Sequence, residues 1–138
     1  MTLVLDASMA LAWIFERESA VEAEQAQRLL DRCGAESWVV PALWHLEVAN
    51  ALVVAERRGV IQPELSGSFL ERLDALPIDT EPELPSSRRD GRLSLARRYG
   101  LSIYDATYLE LCLRLGARLA SHDRRLLAAA QAAGVCLS

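Results

Sequence analysis

At 138 residues, with 51% apolar side chains and a net charge of −4, the chain can build one hydrophobic core but not two comfortable ones, so a single domain over residues 1–138 is expected. All fifteen basic residues are arginine, which excludes sites built on lysine, such as the phosphate loop of P-loop NTPases or a Schiff base. No uncharged stretch approaches the roughly 20 apolar residues of a membrane span, and no basic segment precedes the first apolar run as it would in a signal peptide.

Residues 2–5 form a short apolar run read as a buried strand, and residues 7–15 read as a short helix. Residues 18–33 are good helix formers, stopped by Gly34. Residues 38–40 make a second strand, closed by Pro41. A long helix over 43–58 ends in Arg57, Arg58 and Gly59, the residues that a helix C-terminus favours. Pro63 opens another helix to about Ala75, and residues 76–80 are a weak strand. Residues 81–87, with Pro82 and Pro85, are the most loop-like stretch. Residues 88–99 are helical up to Gly100, and Ser102 caps a helix that reaches Leu115 and stops at Gly116. Residues 118–120, 123–133 and 135–137 then read as strand, helix and strand. This alternation predicts a three-layer α/β/α domain with a central parallel sheet of four to five strands. The cysteines Cys33, Cys112 and Cys136 are odd in number and lack a CxxC pattern, so reduced, buried thiols in a cytoplasmic protein are expected.

Ligands of such sheets gather outside the carboxyl ends of the strands, where the strand order reverses. Asp6 directly follows the first strand and Asp123 the fourth, so both belong to that edge. Each could equally cap the helix that follows, and the two roles are compatible. Glu47 is the only charged residue between Pro41 and Ala55. Its helical neighbours Leu43, Trp44, Asn50 and Ala51 are not cationic. A carboxylate on so apolar a helix is costly unless a distant arginine, water or a metal meets it; solvent exposure is the plainer alternative. Asn50, one turn on, could bond the acid or a metal-bound water. Asp105, three residues after Ser102, resembles a capping box.

Clustered carboxylates repel, and a fold that gathers them supplies a cation or raises a pKa. All-oxygen ligands point to Mg²⁺ or Mn²⁺ rather than zinc. Such a site suits phosphodiester hydrolysis, because one ion lowers the pKa of a bound water and a second, about 4 Å away, can stabilise the leaving oxygen. Bound cations would also reverse the local field of an otherwise acidic chain.

Four segments carry a resemblance. They are Val4-Leu5-Asp6-Ala7-Ser8, then Glu47-Val48-Ala49-Asn50-Ala51-Leu52 with Arg57-Arg58-Gly59, then Ser102-Ile103-Tyr104-Asp105-Ala106-Thr107-Tyr108, and finally Leu119-Ala120-Ser121-His122-Asp123-Arg124-Arg125-Leu126. In this order and spacing they resemble the PIN-domain ribonucleases, specifically the VapC toxins of type II toxin–antitoxin pairs. The resemblance implies a strand order 3-2-1-4-5, with the switch point between the first and fourth strands. It implies Asp6, Glu47, Asp105 and Asp123 as catalytic, metal-binding acids, with Ser8, Asn50 and Ser121 orienting them. Ser121 stands where the family more often has Thr, which keeps the hydroxyl.

By the same resemblance the protein would be an Mg²⁺-dependent endoribonuclease. It would cut RNA (transfer RNA or ribosomal RNA) through a metal-activated water, leaving a 5′-phosphate and a 3′-hydroxyl. It would form a homodimer and be silenced by a cognate VapB-type antitoxin. Arg88, Arg89, Arg92, Arg97 and Arg98 are the densest source of positive charge for RNA, with Arg124 and Arg125 beside the site; a solvated helix face is the alternative.

His45 lies two positions before Glu47 and so faces elsewhere, and His122 reads as a loop histidine. Trp13, Trp38 and Trp44 read as core or dimer contacts rather than base-stacking platforms. Ser8 lacks a histidine placed to activate it as a nucleophile. Phosphotransfer domains also gather aspartates around Mg²⁺, but they require a lysine. The remaining alternative is a PIN-like RNA- or partner-binding module without nuclease activity.

Overall fold

The computed structural model describes residues 1–15, 19–82 and 86–138. Four strands, β1 (Thr2–Leu5), β2 (Ser37–Val40), β3 (Ile78–Thr80) and β4 (Arg118–Ala120), form one parallel sheet in the order β3-β2-β1-β4. Seven helices fall between and after them among the described residues: α1 (Ala7–Leu11), α2 (Ala20–Asp31), α3 (Ala42–Arg57), α4 (Pro63–Asp74), α5 (Arg89–Tyr99), α6 (Ile103–Leu115) and α7 (Arg124–Ala132). Successive side chains of a strand point to opposite faces. Leu3, Val4 and Leu5 are all fully buried, so both faces of β1 are covered, as a parallel sheet requires.

Local chemistry sets the boundaries. Proline cannot donate to a sheet ladder, and β3 starts at Ile78, directly after Pro77. Helix α6 begins with Ser102 accepting the Asp105 N–H at 3.1 Å. It ends at Gly116, whose φ of 61° is the left-handed conformation that glycine adopts without steric cost.

Some expectations shift. The first helix is regular only to Leu11; beyond it, tighter turns carry the chain through Trp13 and Ile14. The expected helix over 18–33 is capped by Ser19 and covers Ala20–Asp31, while Glu18 lies outside the described residues, as do residues 83–85 of the expected loop. The fifth strand reduces to a parallel bridge between Leu119 and Leu137. It is closed by Leu119 N–H on Cys136 O and Ser138 N–H on Leu119 O. The thiols are free, but only Cys112 is buried; Cys33 is partly buried and Cys136, beside the bridge at Leu137, is exposed. Trp38 and Trp44 belong to the core, and Trp13 stacks on Trp38 at 6.1 Å.

With β1 between β2 and β4, the order reverses at the β1–β4 seam. Asp6 N–H extends that seam by donating to Ala120 O at 2.9 Å. The carboxyl ends of β1 and β4 are thus held together where Asp6 and Ser121 leave the sheet.

Candidate metal centre

Asp6 is 5% exposed, and its carboxylate does not cap α1. It accepts instead from two serines at a single oxygen, Oδ2: from Ser8 at 2.6 Å and from Ser121 at 2.7 Å. Each serine is itself held by a backbone amide of the β4–α7 connection. His122 N–H donates to Ser8 Oγ and Asp123 N–H donates to Ser121 Oγ, both at 2.9 Å. Two relays therefore run from loop amides through hydroxyls to one buried carboxylate, and each O–H···O⁻ bond has the short length of a charge-assisted one.

Asp123 does both jobs that the sequence leaves open. Its Oδ1 accepts the N–H groups of Arg125 and Leu126 and caps α7, while its charge reaches Asp6 and Asp105. Glu47 comes from the middle of α3 and is half-buried. Its Oε1 accepts from the Tyr108 hydroxyl at 2.6 Å. Asp105 lies in the first turn of α6.

The four acids come from the ends of two strands and from two helices, yet they share one field. Burial raises the Asp6 pKa above the usual carboxylate value, and the Asp123 charge raises it further against the two serine hydrogen bonds. Burial also raises Glu47, opposed by the Tyr108 bond and reinforced by Asp6 and Asp105. Asp105 is raised by burial and by Asp123 and Asp6, with Ser102 and Arg125 acting the other way. Among the described residues, Arg125 acts on Asp105, no cation figures among the causes of the Asp6 and Glu47 shifts, and none of the ion pairs involves any of the four acids.

The donor set fits a hard divalent cation: four carboxylates, hydroxyl support, and uncompensated negative charge. Among the described residues, no three His, Cys, Asp or Glu side chains are grouped so as to hold a metal ion as they stand.

Asn50 is exposed on α3, and no hydrogen bond joins it to the acids among the described residues. His45 bonds Thr80 Oγ1 at 2.8 Å, away from Glu47. Of the arginines, Arg88 lies 3.8 Å from Glu110, and Arg92 lines a cavity of about 210 Å³ together with Arg114 and Tyr104. Arg89, Arg124 and Arg125 are exposed, the last two directly after Asp123.

Sequence reasoning missed Tyr108. Its signal was its place three residues after Asp105, on the same face of α6. Burial, the Asp6 charge and the bond to Glu47 push its hydroxyl far above the usual phenol range, so it stays protonated and donates to Glu47.

A PIN-domain family model matches residues 3–132. Ribonuclease VapC3 from Pyrobaculum aerophilum is 32% identical over 130 residues, covering 91% of this chain and 92% of that protein. Among solved structures, PAE2754 from Pyrobaculum aerophilum aligns with a TM-score of 0.71 at 23% identity, over 94% of this chain and 84% of the other. FitAcB from Neisseria gonorrhoeae aligns at 0.65 and 15% identity, over 98% and 95% of the two chains; these two likenesses concern the fold. The chain belongs to the PIN-domain family, in its VapC-like ribonuclease branch.

Proposed function

We propose that this protein is the toxin of a type II toxin–antitoxin pair, an Mg²⁺-dependent endoribonuclease that uses Asp6, Glu47, Asp105 and Asp123. The observation that carries the reading is the shared field. Burial and the charges of neighbouring acids raise the pKa values of Asp6, Glu47 and Asp105, and the Asp123 charge acts on both Asp6 and Asp105, beside the seam where the strand order reverses. The relative named as a ribonuclease supports the choice of RNA as substrate; the antitoxin partner rests on the resemblance to the VapC toxins.

The cation, when bound, supplies charge neutralisation at the phosphate and lowers the pKa of a coordinated water. The chain's own residues prepare the place. Ser8 and Ser121 fix Asp6 through Oδ2, so Oδ1 is the oxygen it would offer as a ligand. Asp123 is held rigid by the cap that it forms. Tyr108 restrains Glu47. Arg124 and Arg125, exposed beside Asp123, are placed to meet the phosphates of transfer or ribosomal RNA. A homodimer completes the reading; the antitoxin would lie across the acids and close them to RNA.

The test is RNA cleavage in Mg²⁺ by wild type and by Asp6→Asn, with cleavage ends sequenced. Loss of cleavage in the variant, with 5′-phosphate and 3′-hydroxyl ends from wild type, supports the assignment. Equal cleavage by the two proteins rejects it. RNA binding without cleavage by wild type would favour a non-cutting PIN-like module.

A further inference from the structure

We propose that Tyr108 is a positioning residue for the metal centre: its hydroxyl pins Glu47 Oε1 and leaves Oε2 as the oxygen offered to the cation. The inference rests on the function proposed above and extends it to a residue that is not itself an acid.

The other acids are held by groups close to their own backbones. Asp6 has two serine hydroxyls, Asp123 accepts two amides at the start of its helix, and Asp105 sits in a capped first turn. Glu47 has the longest side chain of the four and springs from the middle of α3, with no helix end to anchor it. A free glutamate there would sample several rotamers, and ordering it on metal binding would cost entropy. The Tyr108 bond removes that freedom in advance.

Tyr108 can do so because it is itself immobile. It is fully buried in the core, so packing fixes where its hydroxyl points. The contact spans 61 positions at 2.6 Å and links α6 to α3. Helix α6 therefore brings both Asp105 and the group that orders Glu47, three residues apart on one face. A buried phenol must find an acceptor somewhere, so simple satisfaction of Tyr108 is the competing account, and the experiment must separate the two.

Mn²⁺ binding to chelator-treated protein without RNA, counted by EPR of the free ion, provides a readout apart from cleavage. Wild type, Tyr108→Phe, Glu47→Gln and the double variant are compared, each with its metal-free melting temperature. Tyr108→Phe should bind Mn²⁺ about tenfold more weakly, the size of effect known for groups that orient ligands. In the Glu47→Gln background the same change should have no further effect, because its route to the metal is already cut. Unchanged Mn²⁺ affinity in Tyr108→Phe, with Glu47→Gln weakened, overturns this inference alone. An equal loss in both backgrounds also overturns it, since Tyr108 would then act through packing. Full affinity in Glu47→Gln removes Glu47 from the centre, and with it both the inference and the proposed ligand set.

Discussion

The two halves of the candidate site are held by different means. At the β1–β4 seam, Asp6 is bonded by Ser8 and Ser121, which are bonded in turn by amides 122 and 123. Across from it, the α3–α6 half depends on one phenol, Tyr108, reaching Glu47. The seam is a network of several polar groups next to the sheet ladder that brings them together; the helix half is a single contact delivered by core packing. A site can thus be rigid through redundancy on one side and through a buried anchor on the other.

The largest expected effect is at the seam's centre. Asp6→Asn should lower Mg²⁺-dependent cleavage by more than about 100-fold, since removing merely a ligand's supporting group costs 10–100-fold. Single-turnover rates on a cleaved RNA would measure it.

Ser121→Ala comes next. It deprives Asp6 of a donor and the Asp123 N–H of its acceptor in a buried setting. Cleavage should fall by about 10–100-fold, and denaturant unfolding should show a loss of about 1–3 kcal/mol. Ser121→Thr should restore both. If Ser121→Ala behaves as wild type, the relay is not what holds Asp6.

A third effect concerns pH, and its sign follows from the raised pKa values. Asp6, Glu47 and Asp105 hold protons more tightly in the folded chain than in the unfolded one. Their contribution is fully present below the ordinary carboxylate range, about pH 4, and is lost as pH rises through the raised folded values. In a chelator, wild type should therefore lose more stability than Asp6→Asn between about pH 4 and neutrality. Mg²⁺ should return it by binding the native state. Urea midpoints at a series of pH values, with and without Mg²⁺, would show this; parallel curves for the two proteins would contradict it.

The smallest effect expected is on RNA affinity. Replacing Arg124 or Arg125 by alanine should reduce the slope of log affinity against log salt by about one unit each. Arg88→Ala should change it less, because Arg88 already faces Glu110. Fluorescence anisotropy in Ca²⁺ at several salt concentrations would separate them.

The seam was legible in the sequence and the helix half only in part, for a physical reason. Asp6, Ser8, Ser121 and Asp123 sit within two or three positions of strand ends, so alternation of strand and helix alone places them at one edge. Glu47 could be singled out because no cation lies within helical reach, but its partner is 61 positions away, beyond any local rule. The long helices were equally readable, as were the caps at Ser102 and Gly116, whereas Ser19, the cap of α2, was not singled out. The last strand was not, because two hydrogen bonds around Leu119 pair it without extending a ladder. Asn50 shares the Glu47 face by spacing, yet its exposure reflects how α3 packs, which spacing does not encode.

The Ser121–Asp6 bond joins residues 115 positions apart, and β4 must dock on β1 before it can form. The first hundred residues contain Asp6 and Glu47 but neither Asp105 nor Asp123, and of the two serines that hold Asp6 they contain only Ser8. On the reading proposed above, the metal centre is complete only once β4 has docked on β1 and brought these distant parts of the chain together.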